Sequence, residues 1–269
     1  MKRLNVCLLA MGTALSISAC GTTAYREKAA AGIEAETNEA ETNNAAAEAA
    51  DKTAVETGDE TAGSHKILIA YFTRLDNTGA ELEEILQGGG PYGSLGDSLE
   101  GADMDAVSSA SIQQINGEVQ GSTEAVARMI QENVGGDLFS IQTIQNYPVD
   151  YDTLIDQGGE EKNQGARPEL ESHVESMSDY DIVFLGFPNW WYDMPMPLYS
   201  FLEEYDFSGK TVIPFVTSAS SGFSGTIGTL KEMLPDAVIV ENGLHIPMRN
   251  VSEADGEVAD WIAGLGFTQ

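Results

Sequence analysis

The stretch Lys66-Ile-Leu-Ile-Ala-Tyr-Phe72 is a continuous apolar run that includes β-branched and aromatic residues. Strands covered on both faces have such runs, whereas strands with one wet face alternate apolar and polar residues. Similar runs recur later in the chain, at Asp181–Phe187, Thr211–Thr217 and Ala237–Val240. These runs predict buried strands of a mostly parallel sheet.

Amphipathic segments lie between these runs. Thr123–Val134 places Val126, Ile130 and Val134 on one helical face. Comparable patterns predict helices over Pro197–Tyr205, Gly225–Leu234 and Ser252–Leu265, and the more alternating Asp137–Gln142 predicts a strand nearer an edge. Strands that alternate with helices indicate βαβ units. We therefore expect one doubly wound α/β domain over residues 65–269.

The N-terminal residues predict export. Lys2 and Arg3 precede an apolar run, which ends in Ile17-Ser-Ala-Cys20-Gly21. An apolar residue, two small residues and a cysteine match a bacterial lipoprotein processing site. We expect a signal peptide over residues 1–20, with Cys20 lipidated and the protein anchored outside the cytoplasm on the cell membrane. A plain signal peptide or a buried N-terminal helix is the alternative, since the run is short for a membrane span.

Residues 21–64 are rich in Ala, Glu, Thr and Asn and contain almost no large apolar residues. Such a segment cannot bury enough surface to offset its ordering entropy, so a flexible acidic tether is expected. The whole chain has 13 Lys+Arg against 43 Asp+Glu. This charge argues against a nucleic-acid partner.

The two cysteines, Cys7 and Cys20, both lie in the N-terminal segment. The mature domain is therefore expected to lack disulfides and Cys-metal sites. No Asp/Glu/His group has metal-ligand spacing, so no metal is expected. His173, in a polar segment before a strand, and His245, placed past the last strand, are both expected to be structural or exposed.

About fifty residues separate Phe72 from the helix at Thr123, where a βα loop normally takes only a few. This insert, residues 73–120, contains a possible helix over Ala80–Leu86. A hairpin about Asn116-Gly117 is expected near its end. Insertions of this length are usually functional or mobile.

Three loops follow the strands at the edge where doubly wound sheets bind ligands. The first begins Thr73-Arg-Leu-Asp-Asn-Thr78, and the helix that it reaches begins Gly121-Ser-Thr123. Hydroxyl and N–H groups at a helix N-terminus form a phosphate cradle. Ordinary capping by Ser122 or Thr123, with Asn77 as a turn residue, explains the same residues.

The second loop, Pro188-Asn-Trp-Trp-Tyr192, displays adjacent aromatic rings that could stack on a planar ligand. Aromatic packing over the core or a protein contact is the alternative. The third loop, Ser218-Ala-Ser-Ser-Gly-Phe223, could wrap a flat heterocycle with backbone N–H groups.

Together, Lys66–Thr73 with a Gly-Ser-Thr helix start, Leu185–Trp191, and Phe207–Ser218 with its Ser-Gly-Phe sequel resemble the flavodoxin family. The resemblance implies a three-layer sandwich with a five-stranded parallel sheet in the order 2-1-3-4-5, and one FMN. It places the phosphate on Thr73, Ser122 and Thr123, and the isoalloxazine ring between the second and third loops. The candidate cofactor-binding residues are Thr73, Asn77, Thr78, Gly121, Ser122, Thr123, Pro188, Asn189, Trp190, Trp191, Tyr192, Thr217, Ser218, Ala219, Ser220, Gly222 and Phe223.

The insert divides the phosphate loop of that family pattern. Either Thr73–Thr78 alone holds the phosphate, or Thr73 closes against Gly121–Thr123 across the base of the insert, which we prefer because the amphipathic helix follows Thr123. Asp76 would place a negative charge beside the phosphate.

These features favour a flavoprotein at the outer face of the membrane. It would transfer electrons to an unknown redox partner or reduce a small acceptor such as a quinone. The alternative is a non-enzymatic lipoprotein module whose flavin site is degenerate.

Overall fold

The computed structural model describes residues 65–79, 112–115, 118–148 and 151–267. The predicted signal peptide, the tether and the helix over Ala80–Leu86 lie outside the described residues. Along the described chain the strands and α-helices are β1 Ile67–Tyr71, β2 Ile112–Ile115, β3 Glu118–Gly121, α1 Ser122–Val134, β4 Asp137–Ser140, α2 Tyr151–Gln164, β5 Ile182–Pro188, α3 Met196–Glu204, β6 Thr211–Ser218, α4 Thr226–Met233, β7 Val238–Ile239, β8 Leu244–Pro247 and α5 Asp255–Gly264. Three short 3-10 helices, Leu75–Asn77, Met177–Asp179 and Met248–Glu253, connect them.

The main sheet is parallel and has the order β4-β1-β5-β6, with β7 and β8 both paired to the far side of β6. The expected order 2-1-3-4-5 is therefore confirmed, with its fifth position divided between two short strands. The strand predicted over Asp137–Gln142 lies at the edge of the sheet, as expected.

Helices cover both faces of the sheet, so the expected three-layer sandwich is confirmed. Successive residues of β1 enter two different cores, which explains its unbroken apolar run: Leu68, Ala70 and Phe72 face one side, and Ile67, Ile69 and Tyr71 face the other. Apolar residues of α1 and α5 fill one core, while those of α2, α3 and α4 fill the other.

Helix α2 was missed by the sequence analysis. Its sequence, YDTLIDQGGEEKNQ, is mostly polar and has two adjacent glycines in its middle. These glycines allow close packing, because a Cβ built on Gly159 would lie 3.1 Å from Cε2 of Trp191. Two adjacent glycines weaken an isolated helix, and their presence in α2 is explained by their contact with the loop after β5.

The last strand also differs from the prediction. The run Ala237–Val240 forms only the two-residue β7, and a second strand, β8, follows after a break. His245 therefore lies within β8, opposite Val216 of β6, and not past the last strand as expected.

The hairpin expected near the end of the insert is confirmed. Strands β2 and β3 pair antiparallel, with Ile115 opposite Glu118 and Ile112 opposite Gly121. The hairpin therefore leads directly into α1, which begins at Ser122.

Gly186, in the middle of β5, tests the packing of the sheet. A Cβ at this residue would lie 2.0 Å from Cζ of the buried Phe215. We expect Gly186→Ala to lower the free energy of unfolding by about 1–3 kcal/mol through overpacking.

The matched control is Gly228→Ala, since the same methyl group at this exposed residue of α4 meets no atom within 4 Å. Higher helix propensity should make this variant more stable by about 0.5–1 kcal/mol. Urea denaturation measures both changes, and a stability loss of the same size in the two variants would contradict the assigned contact.

Candidate functional site

Three strands end at one edge of the sheet in buried polar residues. Thr73 follows β1, Asn189 follows β5, and Thr217 and Ser218 end β6, and each is at most 3% exposed. The N–H of Asn189 donates to the carbonyl oxygen of Thr217 at 2.9 Å, which joins the second and third loops at their starting points. This carboxyl edge is where doubly wound folds bind ligands, and it is the candidate site.

The first loop and the N-terminus of α1 meet at Thr73. A Cβ built on Gly121 would lie 1.9 Å from Oγ1 of Thr73, so any side chain at residue 121 would displace this threonine. Ser122 and Thr123 begin the helix and are each 1% exposed, with Oγ1 of Thr123 lying 2.8 Å from Oγ1 of Thr217. Thr73 thus lies against Gly121 across the base of the insert, while the choice between the two phosphate arrangements stays a prediction.

Asn77 and Thr78, two candidate cofactor residues, have structural roles. The Asn77 amide group donates to the carbonyl oxygens of Thr73 and Ile141 at 2.8 and 3.0 Å, and its oxygen accepts from the N–H and the hydroxyl of Thr143. These four bonds use its full hydrogen-bonding capacity. The Thr78 hydroxyl donates to the carbonyl oxygen of Arg74 at 2.9 Å. Both side chains thus hold the local fold, and a contact of these two residues with the cofactor stays a prediction.

Two carboxylates lie beside the start of α1. Glu124 accepts a hydrogen bond from the N–H of Gly121 at 3.2 Å and is paired with Arg128 at 2.7 Å. Asp76 accepts from the Ser140 hydroxyl at 2.5 Å. Burial raises the pKa of Asp76, and the charge of Glu124 raises it further. Burial and the same two carboxylates also raise the pKa of Tyr71, while the charge of Arg128 lowers it.

The aromatic rings of the second loop have three different environments. Trp190 is 4% exposed and packs edge-on against Phe72 and Tyr147, with ring centroids 5.5 and 5.3 Å apart. Trp191 is half-buried against α2, and its indole N–H donates to the carbonyl oxygen of Ile155 at 3.2 Å. Tyr192 is 49% exposed. The expectation that both tryptophans present stacking faces is therefore corrected: Trp190 belongs to the core, and Tyr192 has the most accessible ring.

The backbone explains why these neighbouring rings separate. Trp191 and Tyr192 have φ values of 53° and 61°, and Trp190 and Asp193 exchange backbone hydrogen bonds of 2.9 and 3.0 Å. This is the geometry of a two-residue type I′ turn, in which glycine or asparagine is usual. Aromatic residues in the left-handed region are uncommon, and such strain is concentrated at functional sites.

The third loop is fixed by side chains from its neighbours. The Asn189 amide group donates to the carbonyl oxygen of Gly222 at 2.8 Å and to Oγ of Ser224 at 2.9 Å. Oγ of Ser218 accepts from the N–H of Gly222 at 3.0 Å and lies 2.8 Å from Nε2 of His245.

The remaining candidates differ in exposure. Pro188 and Ala219 are buried, Ser220 is exposed, and Phe223 packs edge-on against Phe187 of the core with ring centroids 6.4 Å apart. Phe223 is partly buried against the core, and its contact with the flavin ring stays a prediction. Ser220 is exposed, and Ser221 and Gly222 are partly exposed, so a ligand could contact this part of the loop.

Two residues of this edge were missed by the sequence analysis. His245 was placed past the last strand because the break before β8 interrupts the apolar pattern. Lys162 extends from α2 to the second loop, where its Nζ donates to the carbonyl oxygen of Trp191 at 2.5 Å. The sequence around Lys162 is polar, and nothing in its pattern predicts a contact with the second loop.

Within the described ranges there is no group of three or more His, Cys, Asp or Glu residues that could hold a metal ion. None of the helices in the described part of the chain has the length and apolar content of a membrane span.

The fold defines a doubly wound α/β protein whose carboxyl edge has buried polar residues beside a helix N-terminus. A family model described as Flavodoxin matches residues 116–265, and the chain belongs to this family. The chain is 26% identical over 126 residues to Flavodoxin 1 of Salmonella typhimurium and, equally, to Flavodoxin 1 of Escherichia coli K12. Each match covers 44% of this chain, and the chain spans 57%, somewhat over half, of the length of these relatives.

Solved structures show the same fold. A putative flavoprotein from Bacteroides uniformis is 25% identical with a TM-score of 0.52, and the match covers 74% of this chain and 98% of that one. A putative flavoprotein from Bacteroides eggerthii is 24% identical with a TM-score of 0.51, covering 76% and 99%. Membership of the flavodoxin family makes FMN the cofactor against which the site is tested.

The residues of the site fit FMN. The 13-residue helix α1 is preceded by Gly121 as its N-cap, which has no side chain to cap it, and the buried hydroxyls of Thr73, Ser122 and Thr123 lie at this end. In the third loop, Oγ of Ser221 is buried and has no hydrogen-bond partner among the described residues. A helix N-terminus with hydroxyls suits a phosphate group, and a polar loop beside an exposed aromatic ring suits a flat heterocycle.

The raised pKa of Asp76 predicts a pH-dependent stability difference. The folded protein holds the Asp76 proton more tightly than the unfolded chain does, so the ionised carboxylate costs stability above the folded pKa and nothing below the ordinary value of 3.8. Asp76→Asn should therefore be more stable than the wild type near neutral pH. This advantage should disappear as the pH falls towards 3.8.

Asp206→Asn is the control with the opposite sign, because a hydrogen bond from Ser208 lowers the pKa of Asp206. This variant should be less stable than the wild type near neutral pH, with the difference lost in acid. Urea denaturation across this pH range measures both variants. An Asp76→Asn variant that is less stable at neutral pH would show that the carboxylate is stabilising.

Proposed function

We propose that this domain binds one FMN at the carboxyl edge of its sheet and transfers electrons at the outer face of the membrane. The observation that carries the proposal is the closed cradle in which Thr73 lies against Gly121 at the start of α1. The insert places these residues 48 positions apart in sequence without separating them in space.

The phosphate group would lie at the N-terminus of α1. Its negative charge is stabilised there by the helix dipole and by first-turn N–H groups. The hydroxyls of Thr73, Ser122 and Thr123 line this position, and Thr123 also contacts Thr217 of β6. The cradle therefore connects the phosphate position to the strand that begins the third loop.

The isoalloxazine ring would lie between the second and third loops. Tyr192 offers the accessible aromatic face, and backbone groups of Ser218–Gly222 offer polar contacts to the ring edge. Asn189 joins the second loop to the third through its hydrogen bond to Gly222, and the hydrogen bond between Gly222 and Ser218 holds the third loop itself. Bound FMN supplies the redox chemistry, and the chain supplies binding, orientation and electrostatics.

The charge of the chain favours a low redox potential. Asp76 and Glu124 lie beside the cradle, and the formal net charge is −30. Negative charge on the protein disfavours the anionic reduced flavin. A protein of this kind donates electrons readily, for example to a small acceptor such as a quinone.

The N-terminal segment supports a location at the membrane. The sequence Ile17-Ser-Ala-Cys20 fits lipidation of Cys20, and the acidic segment over residues 21–64 fits a tether. A lipid anchor of this type would keep the flavin domain near membrane redox partners, which restricts diffusion and raises their effective concentration.

A second function is a binding or assembly module that holds no FMN. The two carboxylates beside the cradle favour it, because Glu124 already accepts the N–H of Gly121 and Asp76 adds a further negative charge. A phosphate dianion would have to bind in spite of both charges.

Titration of the purified protein with FMN separates these two functions. We expect quenching of flavin fluorescence with a dissociation constant in the micromolar range or tighter. Tyr192→Ala should weaken binding about tenfold through loss of one stacking face. Val238→Ala, which removes an exposed apolar side chain from β7, should bind like the wild type. Absence of binding to the wild-type protein would support the FMN-free module.

The anchor has its own test in cell fractionation. The wild-type protein should sediment with membranes and be released by detergent, whereas Cys20→Ala should not, because it has no thiol for the lipid. Cys7→Ala, a change within the predicted signal peptide, should remain with the membranes. Equal distribution of the wild type and Cys20→Ala would contradict lipidation at this residue.

A further inference from the structure

Helix α2 packs one face against the strained turn that follows β5. Ile155, Gly159 and Lys162 lie about one turn apart on this helix and share a face. The carbonyl oxygen of Ile155 accepts from the indole of Trp191 at 3.2 Å, and the backbone of Gly159 lies against the same ring. Trp191 therefore packs against this face of α2.

Lys162 contacts the backbone of the turn. Its Nζ donates to the carbonyl oxygen of Trp191 at 2.5 Å and lies 3.6 Å from Oδ2 of Asp193. Oδ1 of Asp193 accepts from the N–H of Met194 and from the hydroxyl of Tyr199, both at 2.8 Å. One ammonium group thus holds a peptide carbonyl in the left-handed part of the turn and the carboxylate that ends it.

The other lysines of the described residues are occupied elsewhere. Lys66 pairs with Asp179, Lys210 donates to the carbonyl oxygen of Tyr180, and Lys231 pairs with Glu241. In a strongly acidic protein, Lys162 therefore places a positive charge at the loop proposed to contact the flavin ring.

We propose that Lys162 is a positioning residue that holds the Trp190–Asp193 turn in its left-handed conformation and stabilises the reduced cofactor. This inference rests on the proposed function. Reduction by two electrons and one proton adds one negative charge to the isoalloxazine ring. The ammonium group of Lys162, held against the neighbouring turn, favours this charge, and solvent screens part of the effect because the side chain is 37% exposed.

The charge of Lys162 affects the redox potential of bound FMN more than the affinity for the oxidised cofactor. Oxidised isoalloxazine is neutral, so its binding depends on the shape of the turn and on Tyr192. The charge of Lys162 contributes only when the ring becomes anionic. Loss of the ammonium group would also leave the negative charge of Asp193 without its cation. This unpaired charge would lower the potential further.

Lys162→Met tests the proposal in the full-length protein reconstituted with FMN. We expect the reduced cofactor to bind about tenfold more weakly relative to the oxidised cofactor, which lowers the two-electron midpoint potential by about 30 mV. Lys162→Arg keeps the charge and should retain most of the wild-type potential. Lys231→Met is the matched control, since Lys231 is a half-exposed helical lysine that is also paired with a carboxylate, that of Glu241.

Hydrogen exchange of the protein without FMN gives a second readout. The N–H of Asp193 donates to the carbonyl oxygen of Trp190 within the turn, and its exchange should be faster in Lys162→Met than in the wild type or Lys231→Met. A wild-type potential and wild-type exchange in Lys162→Met, with FMN bound, would overturn the inference. If the wild type binds no FMN, the proposed function fails, while the exchange rates still decide whether Lys162 holds the turn.

Discussion

The contact between Thr73 and Gly121 is the constraint on which the site depends. A parallel βαβ unit needs a helix that starts close to the end of its first strand, and here an insert intervenes between the two. The absence of a side chain at residue 121 lets the start of α1 approach Thr73 as if the loop were short. Asn77 stabilises the same region by binding both Thr73 and the segment after β4. The insert therefore leaves the helix N-terminus in place.

The carboxyl edge combines rigid loops with unusual electrostatics. Asn189 binds the third loop, and Lys162 binds the second, so both loops on either side of the proposed ring position are fixed before a ligand arrives. Such preorganisation lowers the entropy cost of binding. The carboxylates of Asp76 and Glu124 oppose phosphate binding, whereas Lys162 favours negative charge at the other end of the site. The net affinity and the potential result from this balance.

The fold could be predicted from sequence because its decisive signals are local. The apolar run of β1 and the helical pattern of α1 require only periodicity, and the family pattern supplied the strand order. Helix α2 could not be predicted, because Gly158-Gly159 makes sense only beside Trp191, which is distant in sequence. Strand β8 was not predicted, because the apolar pattern is interrupted after β7. The contact between His245 and Ser218 was missed for the same reason.

The site was predicted in outline and changed in detail. The closed cradle was anticipated because an amphipathic helix follows Thr123. The hydrogen bonds of Asn77 and the burial of Trp190 were not predicted, because both depend on residues that are distant in sequence and become neighbours only in the fold. The type I′ turn separates rings that are adjacent in sequence, so an aromatic dipeptide does not reveal which ring is accessible.

The central claim is that the helix N-terminus beside Thr73 binds the phosphate group of FMN. The most direct test compares the dissociation constants of FMN and riboflavin, which lacks the phosphate, for the same wild-type preparation. Two charge-assisted hydrogen bonds predict that FMN binds about a hundredfold more tightly. Equal affinity for the two flavins would show that the cradle binds no phosphate and would contradict the account.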